Sequence, residues 1–154
     1  MFINTCDDNS CTRGSFYSCR TGFLGTKNGN QNSYNAGDAV NKLDWERHDE
    51  YMNVVQAVKF FIDLRKHNKC FRYYDYEDMH QHVFINNIYY RMVEYHLTQD
   101  EGDYKEFKIY FNPSYDVITI GIEDDFKILY SMSNERIENG QLNIFGVSMV
   151  VCAR

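Results

Sequence analysis

Six short apolar segments follow one another between residues 88 and 153, and they limit the possible fold more than any other feature of the sequence. The segments are 88–97, 106–111, 116–122, 126–131, 141–145 and 147–153. In 116–122, Ile118, Ile120 and Ile122 alternate with smaller residues and share one face of an extended strand. Short links rich in turn-forming residues separate the segments, which is typical of antiparallel neighbours. The pattern predicts an antiparallel β-sandwich of about 85 residues.

A helical pattern precedes these segments. Apolar residues spaced three or four apart predict one amphipathic helix over residues 49–67. Asp49 is the predicted N-terminal cap of this helix, and basic residues cluster at its C-terminal end, where the helix dipole favours them. Further along, Asp75 and Asp78 form an approximate capping pattern that predicts a short helical turn.

Charge and apolar runs exclude several classes of partner. The formal net charge is −6 and the sequence pI is about 5.3, without a cluster of Lys and Arg. A nucleic acid or an anionic membrane is therefore disfavoured as a partner, whereas a neutral, polyhydroxylated ligand is compatible with the composition. The longest apolar runs are too short to span a membrane, and the first residues lack the pattern of a signal peptide.

The five cysteines do not form a metal-binding pattern. Cys6, Cys11 and Cys19 crowd the start of the chain without a Cys-x-x-Cys pair or a histidine at ligand spacing. Reduced thiols in a cytoplasmic protein are the simpler interpretation, and we expect neither a metal nor a cofactor. Cys152, in the last apolar segment, is expected to be a small core residue.

A long loop lies before the predicted helix. Residues 22–45 are rich in Gly and Asn, show no period, and contain Trp45, the single tryptophan of the chain. A loop of this length without its own periodicity is usually functional or disordered. Residues 1–20 show no clear period either, and we expect them to be irregular.

The loop also carries a distinctive motif. It contains Phe-Leu-x-Thr-Lys at 23–27, Asn-Ser-Tyr-Asn at 32–35 and Asp-x-Val-Asn-x-Leu-Asp-Trp at 38–45. This block resembles the one that follows the last part of the barrel in pullulanases and related debranching enzymes of the α-amylase superfamily. The end of the predicted helix, FFIDLRKHNKCFR, resembles that family's segment with Leu-Arg-Lys and Phe-Arg, although Asn68 and Lys69 depart from its His-Pro. The resemblance covers roughly residues 22–154.

The resemblance implies an α+β fold in three parts. Residues 22–69 would be a remnant of the C-terminal end of a (β/α)8 barrel, namely its substrate loop and last helix. Residues 70–154 would be a C-terminal antiparallel β-sandwich domain, and residues 1–21 would be an irregular N-terminal segment. The implied substrates are α-glucans with α-1,6-glucosidic branch links, such as starch, glycogen and pullulan.

The same resemblance places the loop on the glucan groove, because loops at the C-terminal ends of barrel strands hold the ligand. Short polar side chains match sugar hydroxyls, and an aromatic ring stacks on the C–H face of a sugar. The implied substrate-binding residues are Tyr34, Asn35, Asp38, Asn41, Asp44 and Trp45. As an alternative, Asp44 and Trp45 cap and pack the following helix, and the asparagine side chains only form turns.

Catalysis needs parts that this sequence does not contain. The family's retaining chemistry uses two carboxyl groups about 5–5.5 Å apart, on earlier strands of a barrel of about 250 residues. Asp8, in a faint resemblance to the family's Ser-His-Asp-Asn block, is the one possible remnant of that machinery. We therefore assign no catalytic residue and expect the fragment to be inactive alone. The missing barrel portion is a possible partner, and the alternatives are a non-catalytic module, either glucan-binding or barrel-docking, and a decayed gene product.

Two further patterns are compatible with metal binding. His80 and His82 are close in sequence, but a helical turn would point them in different directions, so we expect structural roles. The acidic runs 98–103 and 123–125 offer oxygen ligands for Ca²⁺ without the spacing of an EF-hand. We expect both runs to be solvated turns, and we assign no metal site.

Overall fold

The described part of the chain divides into two compact units, which lie within Met1–Asp63 and Leu64–Arg154. The computed structural model describes residues 21–88 and 92–154. Asp8 and nearly all of the predicted irregular segment therefore lie outside the described residues. The predicted domain limits at residues 21 and 69 stay predictions. In the described ranges, no helix is both long enough and apolar enough to cross a membrane.

Helices account for much of the first unit as far as it is described. They are a 3-10 turn at Thr21–Phe23, α1 at Asp38–Asn41, α2 at Glu46–Glu50 and α3 at Met52–His67. The last of these helices continues into the second unit. Three positively charged or ionisable residues, Arg65, Lys66 and His67, occupy its last turn, where the predicted basic end lies.

The single helix predicted over residues 49–67 is wrong at its N-terminal end. The backbone leaves helical angles at Tyr51, with φ −108° and ψ 37°, so α2 and α3 are separate helices. Asp49 lies inside α2 and is not a cap; the carboxylate of Asp44 instead accepts a hydrogen bond from the Glu46 amide at 3.2 Å. The apolar spacing begins only at Tyr51 and α2 contains no apolar residue, so periodicity shows neither α2 nor the break between the two helices.

The second unit combines short helices with antiparallel sheet. A 3-10 turn at Lys69–Phe71 and α4 at Tyr76–His82 precede the strands. The strands are β1 Val83–Ile88, β2 Met92–Thr98, β3 Glu106–Asn112, β4 Ile118–Gly121, β5 Lys127–Ser131, β6 Ile137–Glu138, β7 Gln141–Ile144 and β8 Ser148–Ala153. They form a five-stranded sheet in the order β1-β2-β3-β8-β5 and a three-stranded sheet in the order β4-β7-β6. The predicted mixture of helix and antiparallel sheet is confirmed.

Two strands differ from the prediction. The segment predicted as one strand over 88–97 instead supplies the end of β1 and most of β2, which pair in antiparallel fashion with Ile88 opposite Met92. β6 forms where only a link is predicted, because Asn139 and Gly140 have φ of 52° and 70° and turn the chain back into β7. Two consecutive residues with positive φ give the tight hairpin turn that suits the twist of antiparallel strands.

A single core cluster joins the two sheets, which makes the unit sandwich-like. The buried members of this cluster are Met92, Tyr110, Ile120, Ile122, Phe126, Leu142, Ile144, Val150 and Cys152. Cys152 is fully buried, as predicted for a small core residue, and burial raises the pKa of its thiol to about 12. This thiol is therefore an apolar core group and not a reactive one.

The short helix α4 begins where the capping pattern predicts. Asp75 is the residue before the helix, and its carboxylate accepts a hydrogen bond from the Glu77 amide at 2.9 Å. Because the first amides of a helix have no partner within it, this bond fixes the starting point of the helix.

Candidate functional site

The loop between Phe23 and α2 is the candidate site. A tight turn lies near its start. Asn28 and Gly29 have φ of 51° and 78°, and the Asn30 amide donates to the Lys27 carbonyl at 3.0 Å. Two left-handed residues in a row require side chains that tolerate this conformation, and Asn followed by Gly is the preferred pair. The turn makes residues 27–30 a fixed tip in the loop.

Asparagine side chains then form hydrogen bonds with the loop backbone over residues 30–34. The Asn30 side chain accepts from the Asn32 amide at 3.1 Å, and the Asn32 side chain accepts from the Tyr34 amide at 3.4 Å. These local bonds give the backbone partners that a loop otherwise lacks. The abundance of asparagine is thus explained in part by turn formation, as the structural alternative predicts.

A buried serine anchors the centre of the loop. Ser33 is 6% exposed, its hydroxyl accepts a hydrogen bond from the Lys27 ammonium, and its carbonyl accepts from the Asn41 amide group at 2.7 Å. Since Ser33 precedes Tyr34, these two bonds fix the point from which the tyrosine leaves the protein surface. Asn41 therefore has a structural role, whatever it contacts in a ligand.

The six predicted binding residues lie on the exposed side of this loop. Tyr34 is 93% exposed, and Asn35, Asp38 and Asn41 are also exposed, with Asp38 and Asn41 at the two ends of α1. Asp44 and Trp45 lie just before α2. The structure therefore leaves all six accessible to a ligand, although Asn41 and Asp44 also form hydrogen bonds within the protein. Their contact with sugar stays a prediction.

The Trp45 ring packs against a neighbouring ring and is still largely exposed to solvent. Its indole stacks on the buried Phe23 ring, with centroids 5.9 Å apart and planes inclined by 28°, yet Trp45 remains 65% exposed. The His48 ring lies beside it at 6.5 Å. A flat apolar surface held in place on one side and open on the other can stack on the C–H face of a sugar.

Arg47 is a site residue that the sequence does not indicate. Its guanidinium donates to the Leu24 carbonyl at 2.9 Å and lies over the Tyr51 ring at 4.8 Å from the centroid. These contacts tie the start of the loop to α2. Leu24 and Arg47 are 23 residues apart in the chain, so no local pattern could have revealed the bond.

The other metal-binding candidates have structural partners. The His80 ring stacks on Tyr76 with centroids 5.8 Å apart, whereas the His82 ring stacks on Tyr73 with centroids 5.2 Å apart. The two imidazoles therefore pack against different tyrosines. In the acidic run 123–125, Glu123 pairs with Lys108, which lowers the pKa of that carboxyl, and Asp125 pairs with Arg154. Within the described ranges, no three His, Cys, Asp or Glu residues cluster as ligands for a metal ion.

Comparison with known proteins identifies one group of relatives. No family model matches the chain. The pullulanase of Bacillus subtilis (strain 168) is 30% identical over 105 residues, which represent 67% of this chain and 15% of that protein. The chain therefore spans less than a fifth of the length of this curated relative.

Solved pullulanase structures share the fold. The pullulanase from Bacillus acidopullulyticus superimposes with a TM-score of 0.73 and 24% identity, over 86% of this chain and 17% of its own. The pullulanase from Anoxybacillus sp. LM18-11, solved as a complex with maltotetraose, gives a TM-score of 0.76 and 24% identity, over 87% of this chain and 20% of its own. At this level of identity, the likeness establishes the arrangement of helices and strands.

Proposed function

Since the chain is a pullulanase-like, glycoside-hydrolase-related fragment that spans a small part of the enzyme, we propose that the enzyme to which it belongs acts on the α-1,6-glucosidic branch links of α-glucans. Residues 22–69 would form the end of the catalytic barrel, with its substrate loop and last helix. The second unit would be the C-terminal sandwich. We place the protein in the cytoplasm and expect the remaining barrel portion to be its protein partner.

The geometry of the loop carries this proposal. Tyr34 and Trp45 expose aromatic surface, and Asn35 and Asp38 expose hydrogen-bonding groups between them in the sequence. Hydrogen bonds to Ser33 hold this segment in place before any ligand arrives, so binding a sugar would cost little conformational entropy. An exposed, preorganised set of aromatic and neutral or acidic polar groups fits a neutral, polyhydroxylated ligand.

A second function, non-catalytic binding, is favoured by the same exposure. The predicted contact residues need no further segment to become accessible, because all six are already at the surface of the described chain. A glucan-binding or barrel-docking module would keep this surface without cleaving anything. A decayed gene product, in contrast, would bind neither glucan nor a barrel.

We expect the 154-residue chain alone to release no reducing sugar from pullulan. A barrel of about 250 residues supplies the nucleophile and the acid in the resembled family, and this chain is shorter than such a barrel. The measurement is a reducing-end assay on purified protein, with an intact pullulanase as the positive control. Release above the level of a buffer blank, retained through a second purification step, would contradict the expectation.

A further inference from the structure

The two sheets of the second unit differ in width, and the wider sheet extends beyond the core. The core cluster uses Val150 and Cys152 of β8 and Tyr110 of β3, together with Met92 at the start of β2. In the five-stranded sheet, β1 is the edge strand next to β2. Most of β1 and part of β2 therefore extend the inner face of the sheet past its packed region.

Five side chains define this extension, which we call the inner shelf: Phe84, Asn86, Glu94, His96 and Lys108. Phe84 is directly opposite His96, which is opposite Lys108, which is opposite the core residue Cys152. Residues directly opposite one another in an antiparallel sheet point to the same face. The shelf thus shares the face of the core. Glu94 is 8% exposed and the Lys108 ammonium lies over the Phe126 ring at 4.7 Å, whereas Phe84 is 42% exposed and Asn86 is exposed.

The members of the inner shelf are held by one another. The rings of Phe84 and His96 lie 5.7 Å apart with an inclination of 41°. The Asn86 amide group donates to the Glu94 carboxylate at 2.8 Å, and Glu94 also bonds to the Tyr110 hydroxyl. Burial, and then the Glu94 carboxylate, raise the pKa of that tyrosine. Such mutual contacts restrict the side chains before a ligand binds, which favours recognition.

The ionisable side chains of the shelf have partners within the unit. The His96 ring nitrogen lies 2.7 Å from the Glu106 carboxylate, and the Lys108 ammonium lies 2.7 Å from the Glu123 carboxylate. Glu94 adds a carboxylate that is bonded to neutral donors. Among the described side chains of the shelf, no cationic group lacks a carboxylate partner, so a neutral ligand is a better fit than a phosphate or another anion.

We propose that the inner shelf is a second binding surface for an α-glucan, separate from the loop of the first unit. The exposed Phe84 ring stacks on the C–H face of one sugar unit, and Asn86 and His96 exchange hydrogen bonds with its hydroxyls. The accessible part of the shelf lies along β1, where Phe84 and Asn86 are exposed, and reaches the half-buried His96 on the neighbouring strand, about 5 Å away. This span accommodates one sugar unit of an oligosaccharide. The choice of an α-linked ligand rests on the proposed function; the site itself rests on the shelf.

Amide NMR spectra of the full chain, titrated with maltotetraose, test this proposal. At about 10 mM ligand, ten times a millimolar dissociation constant, amide signals of Asn86, Glu94 and His96 should shift in a saturable way. Phe84→Leu removes the flat ring but keeps apolar volume, and it should weaken this binding about tenfold. Phe84→Tyr keeps the ring and should bind as the unchanged protein does.

The matched control lies on the opposite face of the same sheet. Tyr95 is 37% exposed, next to Phe111, so Tyr95→Leu makes a similar change away from the shelf and should leave the shifts unchanged. Absence of saturable shelf shifts, or shifts that Phe84→Leu does not reduce, would overturn the proposal. Tyr34→Ala affects only the loop, so its spectrum separates a failure of the shelf from a failure of the proposed function.

Discussion

Replacing Asn112 with alanine is expected to lower the free energy of unfolding by about 3–4 kcal/mol. Asn112 is 1% exposed, and its amide group donates to the carbonyls of Asp116, Ile144 and Phe145 at 2.8, 3.2 and 2.9 Å. Its carbonyl accepts from the Ser114 amide and hydroxyl at 3.1 and 2.7 Å. Truncation leaves buried polar groups without partners, which costs more than the bonds contribute when intact. Urea denaturation followed by circular dichroism measures the change.

Asn143 provides the control for this substitution. It is an asparagine of β7, in the three-stranded sheet, and its side-chain carbonyl accepts from the exposed Thr119 hydroxyl at 2.6 Å. Asn143→Ala should therefore cost less than about 1 kcal/mol. If the two substitutions lowered the free energy of unfolding equally, the buried hydrogen bonds of Asn112 would not stabilise the fold more than the exposed bond of Asn143.

Glu135→Ala is expected to have the second large effect, a loss of about 2–4 kcal/mol. Glu135 is 5% exposed, and its carboxylate accepts from the Ser131 hydroxyl at 2.6 Å, from the Ser133 amide at 3.0 Å and from the Ser148 hydroxyl. These bonds join the end of β5 to the start of β8. The alanine variant leaves three donors without their acceptor, and the loss is measured by urea denaturation at neutral pH.

The contribution of Glu135 should also depend on pH. Burial by itself raises the pKa of this carboxyl, but the hydrogen bonds from the serines and backbone amides outweigh it and hold the pKa below 4.5. A lowered pKa in the folded state means that the stabilisation is fully present above about pH 4.5 and declines as the pH falls through the folded value. Glu135→Gln should remove this part of the acid sensitivity. Glu138→Gln, at an exposed position, is the control and should leave the acid profile unchanged.

Alternation along the strands was the part of the fold that sequence could predict. Ile120 and Ile122, predicted to share a face, are 7% and 6% exposed and belong to the core. Asp75 caps its helix for an equally local reason, because a carboxylate two residues away from a free amide can reach it. Predictions of this kind depend on neighbours within a few residues of one another.

The features that sequence did not show depend on distant partners or on single backbone angles. Asn112 reaches carbonyls 32 and 33 residues away, and no pattern within 106–112 reveals that. The break at Tyr51 changes one residue's dihedral angles, and the five residues of α2 before it contain no apolar side chain that could show a period. For the candidate site, the motif indicated the exposed segment around Tyr34, but not the Arg47 contact that ties the loop to α2.

Trp45 emission during a titration with maltotetraose tests the central claim most directly. Trp45 is the single tryptophan of the chain and lies in the candidate loop, so its fluorescence reports on that loop without a label. We expect a saturable change in emission, and we expect Tyr34→Ala to weaken binding about fivefold to tenfold, while reducing ends stay at the level of the blank. Emission that stays unchanged up to about 10 mM maltotetraose, in a protein shown to be folded, would contradict a glucan-binding role for this loop.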